Sequence, residues 1–414
     1  MKINKLEVKL HGQIVAYLGE NEKGNVVFEY DDTFKVRHIE ISPLKLPTDT
    51  TTLYQNSDDS FFQGLPGVIY DSLPDKFGNK IIDAYYAKKG ITSLSPLQRL
   101  AYVGPNGMGA LEYYPNEVEN KEIKEVLDVQ ALVNDAKKVF QGETTDIIPD
   151  LMEAGGSAGG ARAKAIIAWD GKNSIHSPRR ALKKGHEHYL IKFDGTGIDM
   201  RPADYCKVEY MYMKIANLLH LPIPDMHLFH EREYSHLILK RFDRIKDKKI
   251  HMHSLCGMAH SNFNIPGFSY EEYFKIILHV TKNIDNVFMA YTHMLLNVIG
   301  RNQDDHTKNF SFLMDETGEW DLAPVYDFTY SNGDGITARH QMSINGKRDD
   351  FTLKDLLEIG DKFLNLPPNG IKQVIGHVQN VFMENTLKMG KELSIDVKKI
   401  EKIRNNARVF NINT

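Results

Sequence analysis

Over the first forty residues, apolar and polar positions alternate in short runs. Ile3, Leu6, Val8 and Leu10, then Ile14 to Leu18, then Val26 to Tyr30 are separated by turn residues at Gly12 and Gly24-Asn25. A period of two broken by glycine turns predicts a small antiparallel sheet. From Pro74 to Lys89 the period lengthens, and Phe77, Ile81, Ile82, Tyr85 and Tyr86 share a helical face; further helices are expected near 95–102 and over 121–140. Lys164 to Trp169, a turn at Asp170-Gly171 and a return strand read as a hairpin, and Tyr189 to Phe193 and Leu237 to Asp243 read as strands. Between them, residues 203–220 form an amphipathic helix with Val208, Met211, Tyr212, Ile215, Leu218 and Leu219 on its apolar side, closed by Leu221-Pro-Ile-Pro224. After a charged linker, Arg244 to Lys249, the chain turns helical: 270–281, 284–299, 352–360, 370–392 and 396–408. Ile284, Val287, Phe288, Tyr291, Met294, Leu295 and Val298 make the cleanest stripe. A β-rich first half and a helix-rich second half predict an α+β chain of two lobes with a cleft between them. The expected boundaries are 1–110 for an N-terminal subdomain, 111–242 for the rest of a β-rich N-terminal lobe, and 243–414 for an all-α C-terminal lobe.

Composition narrows the classes. The chain has 414 residues, more than one ordinary core holds. Apolar content of 42% and charged content of 26% are those of a soluble globular protein, and a net charge of −4 argues against coating nucleic acid by charge alone. Two cysteines, Cys206 and Cys256, make a disulfide framework an unlikely design and point to a reducing cytoplasm. The N-terminus lacks the apolar core of a signal peptide, and no window approaches a membrane-spanning length.

The chemistry concentrates in residues 300–327. Asp304-Asp-His-Thr-Lys-Asn309 follows the helix that stops at Gly300. Asp304 and Asn309 enclose four residues, the spacing between the base and a metal ligand in a protein-kinase catalytic loop. Asp305 would enclose only three, so Asp304 is the candidate base. Phe310 to Leu313 begins a strand, a turn at Asp315 to Gly318 reverses it, and Ala323-Pro-Val-Tyr-Asp327-Phe328 returns with a second carboxylate. Asn309 and Asp327 are thus candidate magnesium ligands, although Thr329 stands where the Asp-Phe-Gly pattern has glycine. An ordinary polar loop and hairpin is the plain alternative. Upstream, Gly155-Gly-Ser-Ala-Gly-Gly160 is a candidate phosphate loop at Gly156, Ser157, Ala158, Gly159 and Gly160. It lacks the Gly-Lys-Ser/Thr ending of a P-loop, and alone it reads equally as a linker. Lys192 lies on the same face as Leu190 and needs an anion if that face is buried. Glu209, beside the apolar stripe of the following helix, is a candidate partner. His251, His253, Cys256 and His260 lack the paired spacing of a zinc site.

The chain also resembles the HipA family of serine/threonine kinases, the toxins of HipA–HipB modules. The segments that carry the resemblance are Gly67-Val-Ile-Tyr-Asp-Ser-Leu-Pro-Asp75, Gly156 to Lys164, His188 to Phe193, Arg241-Phe-Asp-Arg244, Ser254-Leu-Cys256, Asn302 to Phe312 and Ala323 to Phe328. It implies a two-lobed protein-kinase-like (PI3/4-kinase-like) fold and a kinase dependent on ATP and Mg2+. By motif match, Asp304 is implied as catalytic base, Asn309 and Asp327 as metal ligands, and Lys164, Lys192, Glu209, His306, Lys308 and Tyr326 as nucleotide contacts. Lys240 to Phe242 is implied as the adenine-binding hinge. Ser157 is the implied autophosphorylation site. The implied partners are a HipB-like helix-turn-helix antitoxin dimer, operator DNA mainly through that antitoxin, and a protein substrate, typically an aminoacyl-tRNA synthetase; a membrane is not among them. A small-molecule kinase and a non-catalytic, antitoxin-binding co-repressor are the competing readings.

Overall fold

The computed structural model describes residues 3–117, 127–141, 163–172, 174–178, 182–196 and 203–412. The phosphate-loop candidates Gly156 to Gly160, Ser157 among them, lie outside the described residues.

The alternation at the N-terminus becomes the strands β1 (Lys5–Leu10), β2 (Gln13–Glu20) and β3 (Val26–Tyr30), and a fourth strand, β4 (Leu111–Tyr114), joins them in the order β3-β2-β1-β4. Leu6, Val8 and Leu10 point into the core while Lys5 stays outside, as a period of two requires. The helix Lys76–Ala87 starts where the Asp75 side chain accepts from Gly78 N, and Pro96–Val103 starts with a reciprocal Ser95/Gln98 capping box.

The second sheet has the order β6-β5-β7-β9-β8, from β5 (Lys164–Trp169), β6 (Ile175–His176), β7 (Glu187–Lys192), β8 (Met226–Glu231) and β9 (Tyr234–Lys240). One face carries Ala165, Ile167, Trp169, Tyr189, Ile191 and Ile238 against the Val129–Gln141 helix and Phe77 and Ile81 of the N-terminal part. On β5 and β7 the alternate residues, Lys164 and Lys192 among them, therefore point the other way. Leu237 and Leu239 of β9 pack with the Tyr205–Leu218 helix. The strand expected over 237–243 ends at Lys240, where the chain crosses to the helical half.

That half holds the helices Tyr270–Thr281, Ile284–Ile299, Leu353–Phe363, Pro368–Glu392 and Val397–Asn406. From Ala290 onward Ile284–Ile299 is buried all round, as a helix at the centre of a core must be. The expected all-α C-terminal lobe is corrected here. After a two-stranded ribbon, β10 (Arg244–Ile245) with β11 (Lys248–Lys249), a three-stranded sheet runs β12 (His251–Ser254), β13 (Ser311–Met314), β14 (Trp320–Leu322). His251 and His253 are strand residues because β12 pairs with β13, His253 opposite Phe312. Among the described residues no helix is long and apolar enough to cross a membrane.

Candidate active site

The loop after Ile284–Ile299 is fixed from several sides before any of its side chains is free to act. Gly300 closes the helix, and its carbonyl accepts from Tyr212 OH at 2.7 Å. A Cβ there would meet the Phe382 ring at 2.8 Å, so the close approach admits only glycine. Asn302 Nδ2 donates to Asn297 Oδ1 at 2.8 Å. Asp305 turns inward: its carboxylate accepts from Tyr270 OH (2.8 Å) and Gln341 N (2.7 Å) and is hydrogen-bonded to His340 Nδ1 (2.9 Å). Burial alone would raise the Asp305 pKa, but His340 and the other donors hold it below the ordinary carboxylate value. With Asp305 buried as an anchor, Asp304 faces outward and its side chain is 46% exposed. His306 Nε2 lies 3.9 Å from Asp304 Oδ1. Asn309 Nδ2 donates to the Asp304 carbonyl at 2.8 Å, which leaves Asn309 Oδ1 as an oxygen donor outside that bond.

Asp327 arrives on the return arm in the left-handed backbone region, φ 51°, unusual for a non-glycine residue and a conformation that clusters at functional sites. Lys192 donates both to Asp327 Oδ1 and, at 2.5 Å, to Glu209 Oε1. Lys192 is buried; that would lower its pKa, but the Asp327 and Glu209 carboxylates outweigh burial and hold the ammonium well above its ordinary value. For Asp327, burial pushes the pKa up, while Lys192, Lys164 and His306 push it far below the carboxylate range. Its side chain is 30% exposed, so it is not sealed in the core.

Lys164 stands directly opposite Lys192 across the β5–β7 ladder. Burial lowers its pKa against the pull of Asp327 and Asp75, and its Nζ lies 3.7 Å from Asp75 Oδ2. Lys308 stands over the rings of Tyr70 and Phe263, 5.3 and 5.5 Å from their centroids. Tyr326 donates to the Lys308 carbonyl at 2.8 Å, and its ring lies 5.7 Å from that of Phe242. The Lys240 ammonium pairs with Glu187 at 2.5 Å and its amide donates to Asp225 O at 2.7 Å.

The structure thus joins Lys192, Glu209 and Asp327 directly, sets Lys164 across from Lys192, and groups Asp304, His306 and Asn309 on one loop. His251, His253, Cys256 and His260 are engaged separately: His251 Nε2 with Ile41 O (2.9 Å), His253 Nδ1 with Asp71 (2.7 Å), Cys256 Sγ with Ser261 O (3.1 Å) and His260 Nε2 with Tyr54 OH (3.3 Å). Among the described residues no cluster of His, Cys, Asp and Glu could hold a metal on its own. Two constellations escaped sequence reasoning. Asp243 binds both Arg241 (Nη2, 2.6 Å) and Arg244 (Nη1, 2.8 Å), and these guanidiniums donate to Gly107 O, tying the crossover to the N-terminal part. Asp75 is the second. Both lie in segments that carried the resemblance, but nothing local in the chain names Gly107 as the partner of the two arginines or Lys164 as that of Asp75.

A family model described as the HipA-like C-terminal domain matches residues 156–385, and one described as the HipA N-terminal domain matches residues 6–114. The Sinorhizobium fredii protein Y4mE, which carries a kinase name, is 22% identical over 351 residues, 79% of this chain and 77% of its own length. A solved structure of the Shewanella oneidensis toxin–antitoxin protein HipA with HipB and operator DNA aligns over 98% of this chain and 100% of its own, with TM-score 0.64 at 16% identity, which establishes a shared fold. The Helicobacter pylori proinflammatory kinase CtkA aligns over 53% of this chain and 93% of its own at TM-score 0.33 and 14% identity, too low to carry an argument. With the C-terminal model alone spanning more than half of the residues, the chain belongs to the HipA family.

Proposed function

We propose that this chain is an ATP- and Mg2+-dependent serine/threonine protein kinase acting as the toxin of a toxin–antitoxin module. The observation that carries the reading is the buried Lys192, bonded at once to Glu209 and Asp327. A lysine tied to a helix glutamate and poised beside a metal-ligand aspartate is the arrangement phosphoryl transfer needs, because that chemistry is positioning and charge neutralisation. In this reading the sheet half and the helical half are the lobes of a PI3/4-kinase-like layout, with 1–110 as an added subdomain, and Lys240 to Phe242 borders the adenine site.

Asp327 and Asn309 Oδ1 are oxygen donors of the hard kind that Mg2+ takes. When bound, the ion neutralises charge on the phosphates. Lys192 then exchanges its bond to Asp327 for phosphate oxygens while Glu209 keeps it oriented. Asp304, outward-facing, accepts the proton of the attacking hydroxyl as its oxygen bonds to phosphorus and the bond to the leaving diphosphate breaks. His306 and Lys308 line the same loop, and Tyr326 braces it through the Lys308 carbonyl.

Coverage of nearly the whole chain by a HipA crystallised with HipB and operator DNA supports a HipB-like antitoxin dimer as partner, with operator contact through it. The proposed substrate is a translation component, an aminoacyl-tRNA synthetase, with autophosphorylation at Ser157. Phosphate at Ser157 adds close to two negative charges to a segment meant to hold phosphates, so it shuts the site. Purified protein incubated with Mg-ATP and either a panel of synthetases or a panel of sugars and aminoglycosides decides between protein and small-molecule kinase. Label on a synthetase supports the proposal; label confined to small molecules overturns it.

A further inference from the structure

The segment Gly67 to Asp75 carries two carboxylates that leave in opposite directions. Asp71 reaches the helical half, where Oδ1 accepts from Ser254 Oγ (2.5 Å), and Oδ2 from Ser254 N (2.7 Å) and pairs with His253 Nδ1. Asp75 turns toward the second sheet. Its Oδ1 accepts from Gly78 N at 2.7 Å and caps the helix behind it. Its Oδ2 makes no hydrogen bond and faces Lys164 Nζ at 3.7 Å. The two side chains are only 7% and 3% exposed.

This contact answers an electrostatic difficulty. Lys164 and Lys192 are direct register partners on adjacent strands, both buried, and like charges placed opposite one another repel. Lys192 has Glu209 and Asp327 in direct contact, whereas Lys164 pairs with Asp75. A buried ammonium needs a nearby anion. If Lys164 lacked Asp75, its remaining attractions would be Asp327, the residue assigned to the metal and already its strongest, and Glu209, the partner of Lys192.

We propose that Asp75 is a positioning residue of the nucleotide site: it holds the Lys164 ammonium on the cleft face, clear of Asp327, so that the N-terminal HipA domain completes a phosphate site otherwise built from the C-terminal one. The inference rests on the kinase reading above. Burial raises the Asp75 pKa while Lys164 and Lys308 lower it, so two cations of the site act on this one carboxylate. A 3.7 Å separation without a hydrogen bond lets Lys164 turn toward a phosphate and keep its anchor.

The test is a double-mutant cycle read as the dissociation constant of Mg-ATP by calorimetry on the full chain. Asp75→Asn retains the oxygen that caps the helix, since asparagine is as good an N-cap as aspartate. It should weaken Mg-ATP binding about tenfold, measured at a temperature where circular dichroism shows the variant fully folded, but less than about twofold in a Lys164→Met background, because the two residues act as a unit. Equal losses in both backgrounds would mark a structural role and overturn the proposal. Unchanged or tighter binding in Asp75→Asn would overturn it as well. A folded wild-type protein that binds no Mg-ATP would bring down the kinase reading first, and this inference with it.

Discussion

Asp304 and Asp305 are neighbours in sequence with opposite surroundings, and their substitution should separate structure from chemistry. Asp305 satisfies Tyr270, His340 and Gln341 in a site closed to water. Asp305→Ala leaves those groups buried without their acceptor and should cost about 3 kcal/mol or more of stability, measured by chemical denaturation. Asp304→Gln faces solvent and should leave the denaturation midpoint where it is. If the two exchange these outcomes, the roles are assigned the wrong way round. The spacing to Asn309 was enough to prefer Asp304, because a catalytic loop is local and its register is written in consecutive residues. The Lys192 to Glu209 pairing was legible for a similar reason, since strand and helix are adjacent in the chain. Asp75 was not legible as a site residue. As a helix cap it has a sufficient local explanation, and only the fold brings it to a lysine on another domain's strand.

At the scale of elements, the fold depends on a place where two backbones meet without room for a side chain. A Cβ on Gly67 would lie 2.2 Å from Gly257 O, a backbone atom that cannot rotate away. Gly67→Ala should therefore loosen the seam between the N-terminal domain and the Leu255–Ala259 helix, at about 3 kcal/mol, the upper range of overpacking. Limited proteolysis should show faster cleavage between the two domains; a digestion pattern identical to wild type would contradict the close approach. Most elements were predicted from period alone, the long helices best, because their stripes run over three or more turns. The strands that went unpredicted were β4, β8, the β10–β11 ribbon and β12. β4 has four residues and acquires its meaning from β1 at the far end of the domain. β12 is rich in histidine and reads as chemistry until β13 pairs with it. Strands of two to four residues are too short to show a period, which is why the ribbon and β12 were not expected beside the 310–328 hairpin of the helical half.

Across the whole molecule, the N-terminal domain is stitched to both halves of the remainder: by Asp71 to Ser254, by Asp75 to Lys164, and by Gly107 to the arginines of the crossover. Buried groups at these and other seams set an acid limit on stability. Burial holds His236, His251 and His293 at a pKa of about 4, with Lys137 adding to the effect at His236. Unfolded histidine titrates near 6.5. Below that pH the unfolded chain takes up protons that the folded chain refuses, so stability is full above about 6.5 and falls progressively toward about 4. Melting temperature followed from pH 7.5 down to 4.5 should decline steadily, and a flat profile would show that these imidazoles are not buried as neutral groups. The central claim, that this fold transfers phosphate, is tested most directly by mass spectrometry after incubation with Mg-ATP, wild type beside Asp304→Gln. Phosphoserine or phosphothreonine is expected in the wild-type reaction, dependent on Mg2+, at a rate that falls by about 10²-fold or more in Asp304→Gln. A folded wild-type protein that leaves no phosphate on itself or on any synthetase, or an Asp304→Gln variant that labels as fast as wild type, would contradict it.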